Sequence, residues 1–212
     1  MSDPTRLPDW IAELLGQAAR WRLLGLLFEP PEGDWRDELT SLAAEAGDDE
    51  LAAAAEEARR EADAGLYHST FGPGGPVPPR EVSYRRTVHP GRFLAEISDQ
   101  YRAFAYTPRI PETPDHVAVE TGFVAYLRLK EAYAHACARP ERAAQCRSAA
   151  DRFVAEHLGA MAPAFAELLG RSKTPYLAGA GAVLVAYVGP QPAPPGRDAA
   201  ALALCDDECS CG

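Results

Sequence analysis

Apolar positions recur at three- and four-residue steps from Asp9 onward: Trp10, Ile11, Leu14, Leu15, Ala18, Trp21, Leu24, Leu27 and Phe28. That period predicts an amphipathic helix, and Pro30-Pro31 ends it. A second helix is expected from about Asp34 to Ala46, with Trp35, Leu39 and Leu42 on its apolar side. After Gly47-Asp48-Asp49 an alanine-rich third helix is expected from Leu51 to Leu66, with Glu56, Glu57, Arg59, Arg60 and Glu61 on a solvated face. The pattern then breaks. From Tyr67 to Tyr84 glycine and proline dominate, so this stretch reads as a long loop, either ordered by its terminal aromatics or a linker between domains.

Helical periodicity resumes at Pro90 and runs through Phe93, Leu94, Ile97, Tyr101 and Phe104 to about Ala105. Pro108, Pro111 and Pro114 then forbid a helix, because each fixes its own φ and pushes its predecessor towards extended geometry. The next helix is predicted to start here, with Thr113 as N-cap and Pro114 at its first position, and to reach about Ala138. In that reading Asp115 falls in the first turn, favoured by the helix dipole, and His116 and Glu120 share a face. Pro140 restarts the chain, and Phe153, Val154 and Leu158 carry a helix towards Leu169 that Gly159 and Pro163 should kink or split. Thr174-Pro175 opens a final segment to Val188, nearly free of charge and so expected to be a buried central helix. The fold expected is all-α: one bundle of roughly eight helices over residues 1–188, a Gly/Pro hinge loop, and a flexible tail over 189–212.

Composition narrows the function classes. A net charge of −10 over 212 residues argues against binding phosphate backbones or anionic lipid. It suits a cationic partner or, more blandly, a soluble acidic surface. No apolar run approaches the roughly 20 residues of a membrane span, and Met1-Ser2-Asp3-Pro4 lacks the basic start of a secretory signal, so a cytoplasmic protein is expected. Five cysteines, three of them in the last eight residues, do not form a disulfide framework.

Catalytic motifs are absent from the sequence. There is no Gly-x-Ser-x-Gly, and Gly72-Pro73-Gly74-Gly75 lacks the lysine and helix start of a phosphate loop. The His116/Glu120 pair resembles half of a carboxylate metal site in a helical bundle, but no matching Glu-x-x-His pair stands elsewhere. A di-metal enzyme or small hydrolase rests on that pair alone. Cys205, Cys209 and Cys211 form a Cys-x-x-x-Cys-x-Cys run able to take Zn²⁺ or Cu⁺ or to carry sulfur, although Asp206, Asp207 and Glu208 beside them disfavour the thiolates. A metal or sulfur carrier is therefore the alternative reading.

One constellation goes further. Tyr67-x-x-Thr70-Phe71-Gly72-Pro73, then Pro78-Pro79 with Ser83-Tyr84, then Glu112-x-Pro114-Asp115-His116-x-x-x-Glu120, resembles the TorD/DmsD/NarJ family of redox-enzyme maturation chaperones. Thr70 and Thr121 depart from it, standing where the family has leucine. The resemblance implies an all-α chaperone, not an enzyme and without a cofactor of its own. Its partner would be the apo catalytic subunit of a dimethyl-sulfoxide-reductase-type molybdoenzyme, held by its twin-arginine leader until the molybdenum cofactor is inserted. The peptide contacts it implies are Tyr67, Phe71, Pro79, Tyr84, Asp115 and His116, with Glu112 and Glu120 in support. His116 could equally be a structural partner of the elbow. Gly/Pro hinges also leave a domain-swapped homodimer open.

Energetics set the form such a site should take. Exposed ion pairs contribute about 0–1 kcal/mol each, so carboxylates alone cannot hold a leader. Burying about 400 Å² of its apolar stretch gives about 10 kcal/mol gross, and ordering the peptide removes about 2–5 kcal/mol. A greasy, aromatic cleft edged with acid is the expected architecture.

Overall fold

Proline sets most of the helix boundaries. In the computed structural model of the chain, which describes residues 8–190, α1 (Asp9–Leu27) starts directly after Pro8 and stops ahead of Pro30-Pro31. α2 (Trp35–Ala46) ends on Gly47 in the left-handed conformation, which glycine adopts without steric cost. α3 (Asp49–Glu61) is capped by Asp48, whose carboxylate accepts the Leu51 N–H at 2.9 Å. After the loop, α5 (Pro90–Ala103) and α7 (Pro140–Phe153) begin with proline, as does α9 (Pro175–Val188). Among the described residues there is no strand, only an isolated antiparallel bridge between Arg80 and His116.

The bundle differs from the sequence expectation in four places. The third helix does not reach Leu66. It ends at Ala62 in extended conformation, and Asp63 caps a new helix, α4 (Ala64–Phe71), by accepting the Leu66 N–H at 2.7 Å. Tyr67, Thr70 and Phe71 are therefore helical and buried, and the loop proper begins at Gly72. The long helix α6 (Val117–Ala136) starts later than Thr113-Pro114 predicts, with His116 as its N-cap. α7 runs without a break through a π-turn (Val154–Leu158) into α8 (Gly159–Arg171), and Pro163 lies inside α8. A π-turn absorbs one extra residue per turn and rotates the side chains that follow.

The fourth difference concerns the centre. α9 packs on α8, α3 and α1, yet Ala182, Val185 and Ala186 face outward, so lack of charge marks it as apolar but not enclosed. The enclosed element is the C-terminal half of α1. Leu23, Leu24, Leu26, Leu27 and Phe28 are all buried, and α1 touches α2, α3, α6 and α9.

Its main partner is α6, and the two helices meet closely at Gly25. A Cβ there would lie 2.6 Å from the Thr121 hydroxyl oxygen. That oxygen is not free to retreat, since it is bonded to the Val117 and Ala118 carbonyls at 2.8 and 3.2 Å. Gly25→Ala should therefore lower stability by about 1–3 kcal/mol despite alanine's better helix propensity, because overpacking of a fixed contact wins. Urea denaturation of Gly25→Ala, Thr121→Ala and the double variant checks this: the double variant should recover most of the loss caused by Gly25→Ala.

Candidate functional site: a clamped elbow beside a two-part groove

The Gly/Pro loop and the proline-rich elbow are joined by a short run of backbone pairing. The Val117 N–H donates to the Pro79 carbonyl at 2.9 Å, and the Glu81 N–H donates to the Asp115 carbonyl at 2.8 Å. The Asp115 carboxylate completes the clamp. It accepts the Arg80 Nε–H at 3.0 Å and the Val82 N–H at 3.3 Å and is fully buried. Tyr101 on α5 donates its hydroxyl to the Pro114 carbonyl at 2.7 Å. These tertiary bonds hold residues 113–115 out of the helix, which is why α6 starts at Val117 rather than at Pro114. His116 then caps α6, its Nδ1 accepting the Ala118 N–H at 3.2 Å.

Behind the clamp lies a buried polar chain. Glu81, in the 3-10 turn Glu81–Tyr84, accepts the Arg85 Nε–H at 2.7 Å, and its other oxygen lies 2.9 Å from His157 Nδ1 on the π-turn. Arg85 also donates to the Glu156 carbonyl, and His157 Nε2 stands 3.1 Å from the Gln100 side-chain nitrogen. Glu120, fully buried, points into the same cluster with no hydrogen-bond donor on either oxygen. Burial would raise the Glu81 pKa, but the hydrogen bonds from His157 and Glu120 and the Arg85 charge hold it below the ordinary value. Glu120 goes the other way: burial first, then the neighbouring Glu81 carboxylate, push it well above the carboxylate range. With both groups ionised they share no bond. A proton on Glu120 allows a single bond to Glu81.

Of the residues singled out in the sequence, Asp115, His116 and Glu120 are thus interior groups with no surface to offer a peptide. Pro79 contributes a carbonyl to the clamp, and Tyr84 donates its hydroxyl to the Pro78 carbonyl at 2.8 Å. The Phe71 ring stacks on Phe165 in the core, with centroids 6.2 Å apart. Tyr67 and Glu112 line one cleft together. Cys205, Cys209 and Cys211 lie outside the described residues.

That cleft, about 420 Å³, holds an acidic set the sequence reading did not single out: Glu29, Glu32, Asp34 and Glu38 line it together with Tyr67 and Glu112. The signal was present in Glu29-Pro-Pro-Glu-Gly-Asp, where carboxylates flank the prolines that stop α1. Arg22 pairs with both Glu29 and Glu38, and Arg109 with Glu38 at 2.6 Å. Glu32, Asp34 and Glu112 are exposed at the rim. Adjoining the cleft, and sharing Glu29, Arg109 and Ile110 with it, is an apolar groove of about 450 Å³ between α1, α2 and α6. Leu15, Leu42, Val119, Tyr106, Tyr126 and the half-exposed Leu129 supply its walls. At its floor Gly122 leaves room for the Tyr106 hydroxyl, which a Cβ would approach to 2.7 Å.

A family model described as nitrate reductase delta subunit matches residues 36–167, which contain the loop, the elbow and the whole buried cluster. The chain belongs to the nitrate reductase delta subunit family. Members of this family, which includes the NarJ- and TorD-like proteins, are molybdoenzyme maturation chaperones, and the expected family and all-α fold both hold. No curated protein and no solved structure is significantly similar to the chain. No described helix is long and apolar enough to cross a membrane.

The cap of α6 carries a pH dependence. Burial lowers the His116 pKa to about 4, against the opposing pull of Asp115, so the folded protein holds this imidazole neutral. Its contribution to stability is complete above the unfolded value near 6.5 and is lost as pH falls towards 4. The linkage amounts to about 2 kcal/mol between pH 7 and pH 5. His116→Asn keeps a capping side chain without the titration. Denaturant melts of both proteins at pH 7 and pH 5 should show the wild-type loss reduced by about that amount in the variant.

Proposed function

We propose that this chain is a chaperone without catalysis of its own, which holds the apo catalytic subunit of a molybdoenzyme in the cytoplasm. The contact we assign is the subunit's twin-arginine leader, laid along the two-part groove. The observation that carries this reading is the adjacency of an acidic cleft and an apolar groove sharing Glu29, Arg109 and Ile110. A leader presents the complementary order: two guanidinium groups followed by an apolar run.

The division of labour follows from magnitudes. The apolar groove supplies affinity, since each Å² of apolar surface removed from water is worth about 25 cal/mol. The rim carboxylates Glu32, Asp34 and Glu112 select arginine, because a planar guanidinium can engage a carboxylate with two parallel hydrogen bonds and an ammonium cannot. Arg109, largely exposed and paired with Glu38, occupies the junction between the two halves, as a leader arginine would. Asp115 and His116 act at one remove: they fix the elbow, and just before it Arg109 and Ile110 belong to the wall shared by cleft and groove.

Calorimetry with a synthetic leader carrying Arg-Arg before an apolar run tests the reading. Changing both arginines to lysine should weaken binding about tenfold, equivalent to about 1.4 kcal/mol. In the variant Glu32→Gln/Asp34→Asn/Glu112→Gln that difference should vanish, with residual affinity carried by the apolar half. Leu42→Glu should abolish binding of both peptides. Equal affinity for the two peptides in the wild-type protein, or none for either, would defeat the assignment.

The clamp makes a separate prediction. Asp115→Asn removes the charge that holds Arg80 and weakens the bond to Val82. It should cost about 2 kcal/mol in urea denaturation, consistent with loss of a charge-assisted hydrogen bond from a buried acceptor. Leader affinity should fall along with it, even though residue 115 touches no peptide.

A further inference from the structure

The buried cluster is better furnished than a structural hydrogen-bond network requires. Glu81, Glu120 and His157 each turn one ligand atom to a common point, those atoms lying within 4.8 Å of one another. All three residues are buried, and both Glu120 oxygens lack a donor. A proton shared between the two carboxyl groups would satisfy one Glu120 oxygen and leave the other bare. A cation between them satisfies both. Burying an unsatisfied carboxylate oxygen is costly, so the arrangement asks for an electrophile larger than a proton.

We propose that Glu81, Glu120 and His157 form a buried binding site for a divalent first-row transition cation, with Zn²⁺ the best match. The donors fit that chemistry: one imidazole nitrogen and carboxylate oxygens, which borderline cations accept and which Zn²⁺ holds at about 2.0–2.2 Å. Two ligands at that radius in tetrahedral geometry stand about 3.4 Å apart; here Glu81 and His157 are 2.9 Å apart and all three ligand atoms fall within 4.8 Å, so closing on an ion takes a small inward shift of the side chains. Glu81 offers the oxygen that faces His157, and Glu120 can chelate with both of its own, which fills a single tetrahedral vertex and leaves the fourth for a water.

Surrounding groups are placed to orient the ligands. Arg85 holds the far oxygen of Glu81. The Gln100 side-chain nitrogen stands 3.1 Å from His157 Nε2; with the amide turned over, its oxygen would accept the N–H that metal binding at Nδ1 requires on the other nitrogen. None of the three ligands lines the apolar groove or the acidic cleft, so the ion would not act on a substrate. It would staple the Gly/Pro loop, through Glu81, to α6 and to the π-turn.

The test uses the full chain with Cys205→Ser, Cys209→Ser and Cys211→Ser, which silences the tail thiolates, purified without chelators. Elemental analysis should find about one equivalent of Zn²⁺ per chain. Exchange for Co²⁺ should give visible d–d bands without the near-ultraviolet charge transfer of thiolate ligands. Glu120→Gln and His157→Gln should each abolish both signals. Gln100→Ala, which leaves the ligands in place, should weaken affinity about 10–100-fold and covers the case that the ligand variants fail to fold. No metal in the thiol-silenced chain after Zn²⁺ addition, or Co²⁺ spectra and affinities unchanged by these substitutions, would overturn the proposal.

Discussion

The structure depends on one junction: two irregular segments, neither able to satisfy its own backbone, satisfying each other. Residues 79–80 and 113–116 are rich in proline or hemmed in by it, and neither stretch joins a helix or a sheet. Buried N–H and C=O groups must nevertheless be paired. Two backbone bonds and the Asp115 carboxylate achieve that, taking the N–H groups of Glu81, Val82 and Val117. Everything nearby inherits its position from this pairing. His116 caps α6 because the clamp stops the helix from starting earlier, and Glu81 is carried inside because it follows Arg80 through the bridge.

The interior charges follow from the same junction. An isolated buried carboxylate is prohibitively costly, so each one here is matched or neutralised. Asp115 has Arg80, Glu81 has Arg85 and His157, and towards the other end of α6 Glu131 has Arg128 and Arg147. Glu29 and Glu38 share Arg22 beneath the acidic cleft, which leaves the outer carboxylates as the groups with capacity to spare. A surplus of acid in the composition thus resolves into two populations: paired carboxylates that organise the core, and rim carboxylates that set the character of one cleft.

How much of this was legible in the sequence depended on whether the deciding contact was local. The extents of α1, α2, α5 and α9 follow from apolar period and proline stops, and the structure reproduces them closely. The splitting of the third helix was also local: Asp63 is a good N-cap, overlooked because the alanine-rich pattern runs past it. The start of α6 was misread for the opposite reason. Thr113-Pro114 has the local chemistry of a helix start, but tertiary bonds to the loop override it. The π-turn leaves no mark in composition, and it is what brings His157 to Glu81, 76 positions earlier in the chain. The groups that meet Glu120, namely Glu81 and His157, come from separate elements and so carry none of the Glu-x-x-His spacing that marks such clusters in a sequence. Glu120 turns away from its i−4 neighbour towards two residues on other elements.

This geometry bears on why a binding protein would bury the residues that make its family recognisable. A leader peptide is flexible, and much of its gross contact energy is spent on ordering it. A site that also had to be ordered would lose still more, so affinity favours a groove that is rigid before the peptide arrives. The wall shared by the acidic and apolar halves is the irregular segment around Arg109 and Ile110, the part of the molecule with the least secondary structure to stiffen it. Its rigidity must come from its ends. At one end Tyr106 packs on Phe123 and Tyr126. At the other the segment runs into Pro114, Asp115 and His116, fixed by the clamp. Pro-Asp-His is by position a mounting point: the Asp115 and His116 side chains face inward and fix the end of the wall, and the unpaired carboxylates stand elsewhere, at the rim of the cleft.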